Sequence, residues 1–295
     1  MTLNQLRYFC AASRCHSITK ASKELFVTQP TISTAVRDLE EEFSITLFYR
    51  NGGHLELTAE GEKFFSKAQN ILSYCIEMEA EYKDLKRIKP PVRIGIPPML
   101  STIFFPELLT AFSQRHPDIP VVLEEYGSVR ACDLVYQDYL DLALVNMELF
   151  NIDKFGNSVL FNSQLYYCVS HNHPLAGQSS MKMEQFDEEK VLLFNADSVQ
   201  NHLLMTRFDA MRLHPSIIIR CSQLYTVMKF VQQENCGCFL FKEMLPQFPE
   251  CVGMPLDPPI HVNVGIVWKK GKYVTGEMQK FIAFTEEYYH KQKLT

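Results

Sequence analysis

Apolar positions over the first ninety residues recur at helical spacing, and beyond residue 92 they gather into short runs separated by helix-like stretches. Leu3, Leu6 and Phe9 sit three apart on a first helix that ends before Cys15-His16-Ser17. Ile18, Ala21 and Leu25 stripe a second segment from Ser17 to Phe26, with the small Ala21 where two helices must cross closely. Ile32, Val36, Leu39 and Phe43 follow at spacings of four, three and four, which puts them on one face of a third helix. Thr28 is placed to cap that helix, and Pro30 fits its first turn, where a missing N–H costs nothing. Its other face carries Pro30, Thr31, Ser33, Thr34 and Arg37. After it, Leu47-Phe48 opens an extended stretch, Asn51-Gly52-Gly53 signals a turn, and Leu55 and Leu57 alternate with polar residues. Three helices and a two-stranded wing describe a winged helix-turn-helix. The third helix would then be the recognition helix, with free N–H groups at its start where a phosphate can sit. Taken alone, that helix has an equally good reading as a capped amphipathic core helix.

From Thr58 to about Arg87 there is no proline and one glycine, Gly61. Gly61, Phe64, Ala68, Ile71, Cys75, Met78, Tyr82 and Leu85 alternate by three and four, the seam expected of a helix that pairs with its own copy. Thirty residues make a rod of roughly 45 Å. Such a rod sets two recognition helices on one side of a duplex, able to enter major grooves about 34–36 Å apart, so the expected operator is an imperfect palindrome.

Lys89-Pro90-Pro91 ends the rod. Beyond it, Val92–Ile96, Val121–Tyr126 and Asp141–Val145 read as strands, with a helix over Phe104–Arg115 between the first two. Further strands are expected at Leu165–Ser170, Val191–Asn195, Ile217–Cys221, Gly237–Phe241 and Val262–Trp268, and a closing helix over Glu277–Tyr289. Strands spaced by helices indicate βαβ units and a largely parallel sheet. Two hundred residues of this kind suit two α/β lobes with a cleft between them, and ligands bind such lobes beyond the carboxyl ends of the strands. Candidate cleft residues by position are Met99, Ser101, Thr102, Ser128, Asn146, Asp197 and Cys221, with Gly127, Asn195 and Ser222 beside them. Capping and turn roles compete with ligand contact at each Ser, Asn and Asp. Pro97 and Pro98 lack N–H groups and Met99 is apolar, which points to a small ligand with an apolar portion.

The N-terminal residues carry a close resemblance. Leu6-Arg7-Tyr8-Phe9, Ala21-Ser22 with Leu25, Thr28-Gln29-Pro30 with Ser33, Leu39-Glu40, Leu47-Phe48 with Arg50, and Leu57-Thr58-Ala59-Glu60-Gly61 match the LysR-type transcriptional regulators in order and spacing. Looser matches continue through Leu140–Leu144, His173-Pro174-Leu175-Ala176 and Tyr225-Thr226-Val227 leading to Gly237. The resemblance implies a DNA-binding head over residues 1–58, a dimerising linker helix over 59–89 and an effector domain over 90–295. That domain resembles a periplasmic solute-binding protein, with lobe I at about 92–161 and 268–295 and lobe II at about 162–267. The implied partners are double-stranded DNA, a small-molecule effector, a second copy of the chain in a homodimer, two such dimers in a homotetramer, and RNA polymerase. Gln29, Pro30, Thr31, Ser33, Thr34 and Arg37 would face the major groove, with Gln29 reading adenine and Arg37 guanine. Arg50 and His54 would reach backbone or minor groove from the wing. Thr34-Ala35 and Asn51-Gly52-Gly53-His54 stand where the family often has basic residues, so fewer phosphate contacts are expected.

Charge and cysteines adjust this picture. The chain has 295 residues, 46% of them hydrophobic, and a net charge of −5. Residues 1–60 hold six basic side chains (Arg7, Arg14, Lys20, Lys23, Arg37, Arg50) against seven acidic ones (Glu24, Asp38, Glu40, Glu41, Glu42, Glu56, Glu60), an unusual balance for a DNA binder. Weak binding per protomer, rescued by dimerisation, is the expectation. Arg7 and Gln5 interrupt the one stretch that could act as a signal segment, and no run approaches a membrane span, so a cytoplasmic protein without membrane contact is expected. Nine cysteines, an odd number, do not form a secreted disulfide framework; buried thiols and a thiol-based redox sensor are the two readings. No Gly-rich phosphate loop, GxSxG elbow, HExxH or paired CxxC appears, and His171-Asn172-His173 reads as a turn, so neither enzyme nor cofactor is expected.

Overall fold

The computed structural model describes residues 1–51, 54–85, 90–148, 152–233 and 235–292, with the backbone alone at 50, 51, 54, 80, 83–85 and 292. The chain divides into two compact units, Met1–Lys86 and Arg87–Thr295.

In the first unit α1 (Leu3–Cys15), α2 (Ile18–Glu24) and α3 (Gln29–Phe43) precede a hairpin of β1 (Phe48–Asn51) and β2 (His54–Leu57), and α4 (Ala59–Leu85) follows. Leu6, Phe9, Ala21, Ile32, Val36 and Leu39 close the core. Phe43 departs from the predicted stripe: it is exposed, with its ring 5.4 Å from that of Phe64. The strands pair antiparallel from Phe48 with Leu57 to Asn51 with His54. Gly52 and Gly53 of the expected turn lie outside the described residues. Thr58 explains its place before the helix: its hydroxyl donates to Thr46 O and accepts from Gly61 N at 2.9 Å, capping α4.

The predicted seam along α4 splits in two. Gly61 and Ala68 are buried and Phe64 is half-buried, all within the head's own core. Past that point Ile71, Tyr74, Met78 and Tyr82 are 38, 71, 57 and 61% exposed. The uncovered stripe therefore runs through Tyr74, whereas the expected Cys75 is half-buried. Leu85 at the seam's end lies outside the described side chains, and Lys89 of the expected stop lies outside the described residues.

In the second unit β3 (Val92–Ile96), α5 (Pro98–Ile103), α6 (Phe105–Arg115), β4 (Val121–Glu125), α7 (Ser128–Tyr136) and β5 (Leu142–Asn146) build lobe I. β6 (Phe155–Ser170) then crosses into lobe II, made of β7 (Met181–Lys182), β8 (Lys190–Leu193), α8 (Val199–Met211), β9 (Ser216–Arg220), α9 (Leu224–Gln233), β10 (Gly237–Phe241) and β11 (Cys251–Asp257). β12 (His261–Lys269) returns, and α10 (Gly276–Gln292) closes the chain. The strand order is β4-β3-β5-β12-β6-β10-β8-β9. The outer triplets β4-β3-β5 and β10-β8-β9 are parallel, as βαβ units require, but β12 and β6 between them run antiparallel to their neighbours.

β6 is the connecting device. It pairs with β12 from Phe155 to Gln164 and with β10 and β11 from Leu165 to Ser170. The outward crossing thus falls at Gln164–Leu165. The return falls near Ile260 rather than at the expected 268, because Val264–Val267 of β12 already pair with β5 in lobe I. One apolar core runs through both lobes, from Ile94 and Phe112 to Phe186 and Phe239. Among the described residues, no helix is long and apolar enough to cross a membrane.

The head's tightest constraint is the approach of α4 to the chain before β1. A Cβ at Gly61 would come within 2.2 Å of Leu47 O, which also accepts the Thr58 N–H at 3.1 Å. Gly61→Ala is expected to destabilise the head by about 1–3 kcal/mol, as overpacking against fixed backbone does. Urea unfolding followed by helix signal measures it; an unshifted midpoint contradicts that approach.

Candidate functional site

Two surfaces carry candidate chemistry, one in each unit. In the head, Thr28 caps α3 by accepting from Thr31 N at 3.4 Å, and the two threonine hydroxyls lie 2.8 Å apart. Gln29, Pro30, Thr31, Thr34 and Arg37 are exposed and Ser33 is half-buried, while Ile32, Ala35, Val36 and Leu39 are buried on the opposite side. α3 therefore presents one polar face to solvent over its first three turns. Arg50 and His54 hold backbone positions on the two wing strands, and their side chains lie outside those described.

The acidic excess of the head is largely spoken for internally. The Met1 ammonium binds Glu42 at 2.6 Å, Arg14 binds Glu24, and Arg37 lies 3.6 Å from Glu41 across one turn. Glu40 accepts the N–H groups of Leu47 and Phe48 at 2.8 and 3.3 Å, which fastens the start of the wing to the end of α3. That pairing gives the Leu39-Glu40 signal a structural meaning. The Arg37–Glu41 pair is exposed on both sides, and such pairs contribute little and exchange readily for a stronger anion.

In the second unit a cleft of about 320 Å³ opens between the lobes. Its lobe I wall is Pro97, Pro98 and Met99 after β3, Glu125 to Ser128 after β4, and Asn146 at the end of β5. Its lobe II wall is Phe194, Asn195 and Asp197 to Gln200 after β8, Ser222 after β9, and Phe241 ending β10. Every contributing segment follows the carboxyl end of a parallel strand. Of the sequence candidates, Met99, Ser128, Asn146 and Asp197 come together here. Ser128 Oγ accepts from Asn146 N at 3.1 Å, so the end of β5 and the start of α7 are tied. Asn146 Oδ1 is buried and has no hydrogen-bond partner among the described residues.

Three candidates stand elsewhere. Thr102 turns its hydroxyl back to Pro98 O at 2.9 Å, the usual fate of a threonine inside a helix, and borders an adjoining pocket with Glu125 and Tyr225. Ser101 contacts Pro98 O at 2.8 Å and the Glu125 carboxylate, so it braces a cleft residue without lining the cleft. Cys221 Sγ faces its own chain, accepting from Gln223 N at 3.4 Å. Sequence reasoning missed Glu125, Tyr126, Phe194, Gln200 and Phe241. Their signal was positional: each ends or directly follows a strand, or opens a helix, on the cleft side. Tyr126 donates to Glu124 at 2.6 Å, and that bond is the main cause of its raised pKa.

His171 and His173 face different partners. His171 Nε2 meets Pro249 O at 2.9 Å, whereas buried His173 accepts Leu175 N at Nδ1 and lies 3.4 Å from Glu189. Burial lowers the His173 pKa against the opposing pull of Glu189, which leaves it a neutral turn-forming residue.

Comparison with known proteins joins the two surfaces. Residues 3–62 match the family described as "Bacterial regulatory helix-turn-helix protein, lysR family", and residues 86–289 match the "LysR substrate binding domain". The uncharacterized HTH-type transcriptional regulator YwbI of Bacillus subtilis is 33% identical over 98% of this chain and 97% of its own. The transcriptional dual regulator GltC of the same organism is 27% identical over 99% and 98%. A full-length OxyR variant from Pseudomonas aeruginosa superposes with a TM-score of 0.67 at 20% identity, covering 98% of this chain and 95% of that one. HinK from the same organism gives 0.61 at 24% identity, with 99% of each chain covered. At these identities the two structures speak for the fold alone.

The cysteines are set mainly for packing. Cys168 and Cys238 are register partners on β6 and β10 and are fully buried, and burial pushes both thiols well above their ordinary range. Burial likewise raises Cys10 and Cys132 to about 12. Because the thiolate is the reacting species, these four resist alkylation. Iodoacetamide at about pH 8, read by peptide mass, is expected to leave Cys10, Cys132, Cys168 and Cys238 unlabelled in the native protein and to label them in denaturant. Native labelling of Cys168 or Cys238 contradicts this.

Proposed function

The chain belongs to the LysR family of bacterial transcriptional regulators, and from that premise we propose how its two units divide the work. The head reads DNA through Gln29, Pro30, Thr31, Ser33, Thr34 and Arg37. The observation that carries this is the division of α3 into a buried apolar face and a solvent-facing polar face. Gln29 and Arg37 supply base readout: an amide pairs with the adenine edge, and a guanidinium pairs bidentately with guanine. Pro30 and the threonines let the helix approach closely, and Arg50 and His54 serve the phosphate backbone or minor groove from the wing.

A second copy lies along α4, covering Ile71, Tyr74, Met78 and Tyr82 with the same residues of the partner. A two-fold pair of heads then meets an imperfectly palindromic operator. Two such dimers form a tetramer on a longer site, with RNA polymerase as the next partner, and the protein acts in the cytoplasm where its DNA lies.

The cleft is the effector site, with Met99, Ser128, Asn146 and Asp197 as contacts. A ligand there changes regulation only to the extent that it prefers one arrangement of the lobes over another. β6 and the link from β11 to β12 carry the chain between the lobes, so bending at these two places is the motion available. The fully buried thiols give no support to the redox reading.

Arg37→Ala is expected to weaken binding to a selected operator by about 1–3 kcal/mol, roughly tenfold or more, and Arg37→Lys to restore only the charge-dependent part. Fluorescence anisotropy at fixed salt measures both. An affinity unchanged by Arg37→Ala contradicts the placement of α3 in the groove.

A further inference from the structure

An anion entering a cleft of this architecture would seek the helix N-termini that open onto it, where unpaired N–H groups and the helix dipole favour negative charge. Two helices of adequate length begin here: α7, capped by Gly127, and α8, capped by Ser198. Gly127 has no side chain with which to cap its helix, and Ser198 makes no side-chain hydrogen bond to its own among the described residues. Between them stands a carboxylate of the chain itself. Asp197 directly precedes the cap of α8 and lies over the cap of α7: a Cβ at Gly127 would meet Asp197 Oδ2 and Asp197 O, each at 2.7 Å. The missing side chain at Gly127 is what allows lobe II to bring that carboxylate so close to lobe I.

The remaining walls carry the same sign. Glu125, braced by Ser101, borders both the cleft and the adjoining pocket. Among the described residues, neither cavity is lined by any Lys, Arg or His. Arg220, ending β9, turns instead to Asn201 Oδ1 at 2.9 Å. Asn146, which lines the cleft and is only 5% exposed, carries an Oδ1 that has no donor among the described residues. Met99, Phe194 and Phe241 supply buried apolar surface around it.

We infer that this cleft is built for a cationic ligand, a protonated amine on a small apolar body, with Asp197 occupying the seat that a ligand carboxylate would otherwise take. This rests on the effector reading of the cleft. An ammonium brings three donors and no acceptor, which matches Asn146 Oδ1 and the Glu125 and Asp197 carboxylates. The aromatic walls suit the apolar body and attract the cation through their ring faces. A carboxylate ligand would meet two like charges and displace neither.

The test uses three probes with one body and three charges: 3-phenylpropylamine, 3-phenylpropanol and 3-phenylpropionate, titrated to about 10 mM against the full chain by thermal shift and calorimetry. The amine is expected to bind roughly tenfold tighter than the alcohol, and the carboxylate weakest of the three. Glu125→Gln and Asp197→Asn are each expected to weaken the amine about tenfold, and Asp197→Ala also to admit the carboxylate by vacating its seat. Asn195→Trp, which fills the cleft from its exposed edge, should abolish amine binding. If the carboxylate binds as tightly as the amine and Asn195→Trp removes it, the cleft stands as an effector site and the inference of charge is wrong. If no probe binds, the inference of a cationic ligand is wrong, while the effector reading, which names no ligand charge, is left standing.

Discussion

Ile71, Tyr74, Met78 and Tyr82 occupy one side of α4 beyond the reach of the head's core, and in a single chain water covers them. Burying a large apolar side chain fully is worth about 1.5–3 kcal/mol, so four half-exposed ones represent several kcal/mol awaiting a partner. The helix cannot fold back to hide them. Its first turns are already committed, with Gly61 pressed on Leu47 and Ala68 in the core, and this fixes which face is left over. A second copy offers the same stripe in the same register, the condition for a closed two-fold interface. Much of what is proposed for DNA binding depends on this, because a head whose acids and bases nearly balance has little long-range attraction for a duplex of its own.

The regulatory unit obeys a different constraint. Its lobes share one apolar core and one run of strands, yet their parallel triplets point their carboxyl ends at a common cleft. β6 serves both lobes by changing partners at Gln164–Leu165, and the chain returns near Ile260, between β11 and β12, which pair with successive stretches of β6. Bending at these two places is the motion proposed to change the width of the cleft. Asp197 over Gly127 is a close approach of the lobes at the cleft, so a ligand that alters this contact would couple directly to lobe spacing.

The head was legible in the sequence nearly residue by residue because its signals are local. Thr28 caps the helix it precedes and Ala21 is buried where helices cross, whereas the cap at Thr58 and the close approach at Gly61, which was read as part of the pairing seam, emerged only in the structure. The effector domain was legible in β5, β8 and β10, whose continuous apolar runs reflect burial on both faces. The first half of β6 was not. Gly156-Asn157-Ser158 and Asn162-Ser163-Gln164 interrupt it with polar residues, and only pairing along β12 holds them extended. Cleft residues were half legible. Position relative to strand ends found Met99, Ser128, Asn146 and Asp197, but no local pattern tells that Ser101 and Thr102 spend their hydroxyls on Pro98 O, or that Glu125 reaches the cleft from its strand end. Phe43 and Cys75 were misjudged because periodicity gives the side of a helix without saying what, if anything, covers it.

The most direct test is the solution mass of the full chain by sedimentation equilibrium at about micromolar concentration, beside a Met78→Glu variant that sets like charges in the middle of the stripe. The account predicts an assembly of two or four chains for the natural sequence and single, folded chains for the variant. Single chains for the natural sequence, or an assembly indifferent to Met78→Glu, would contradict it.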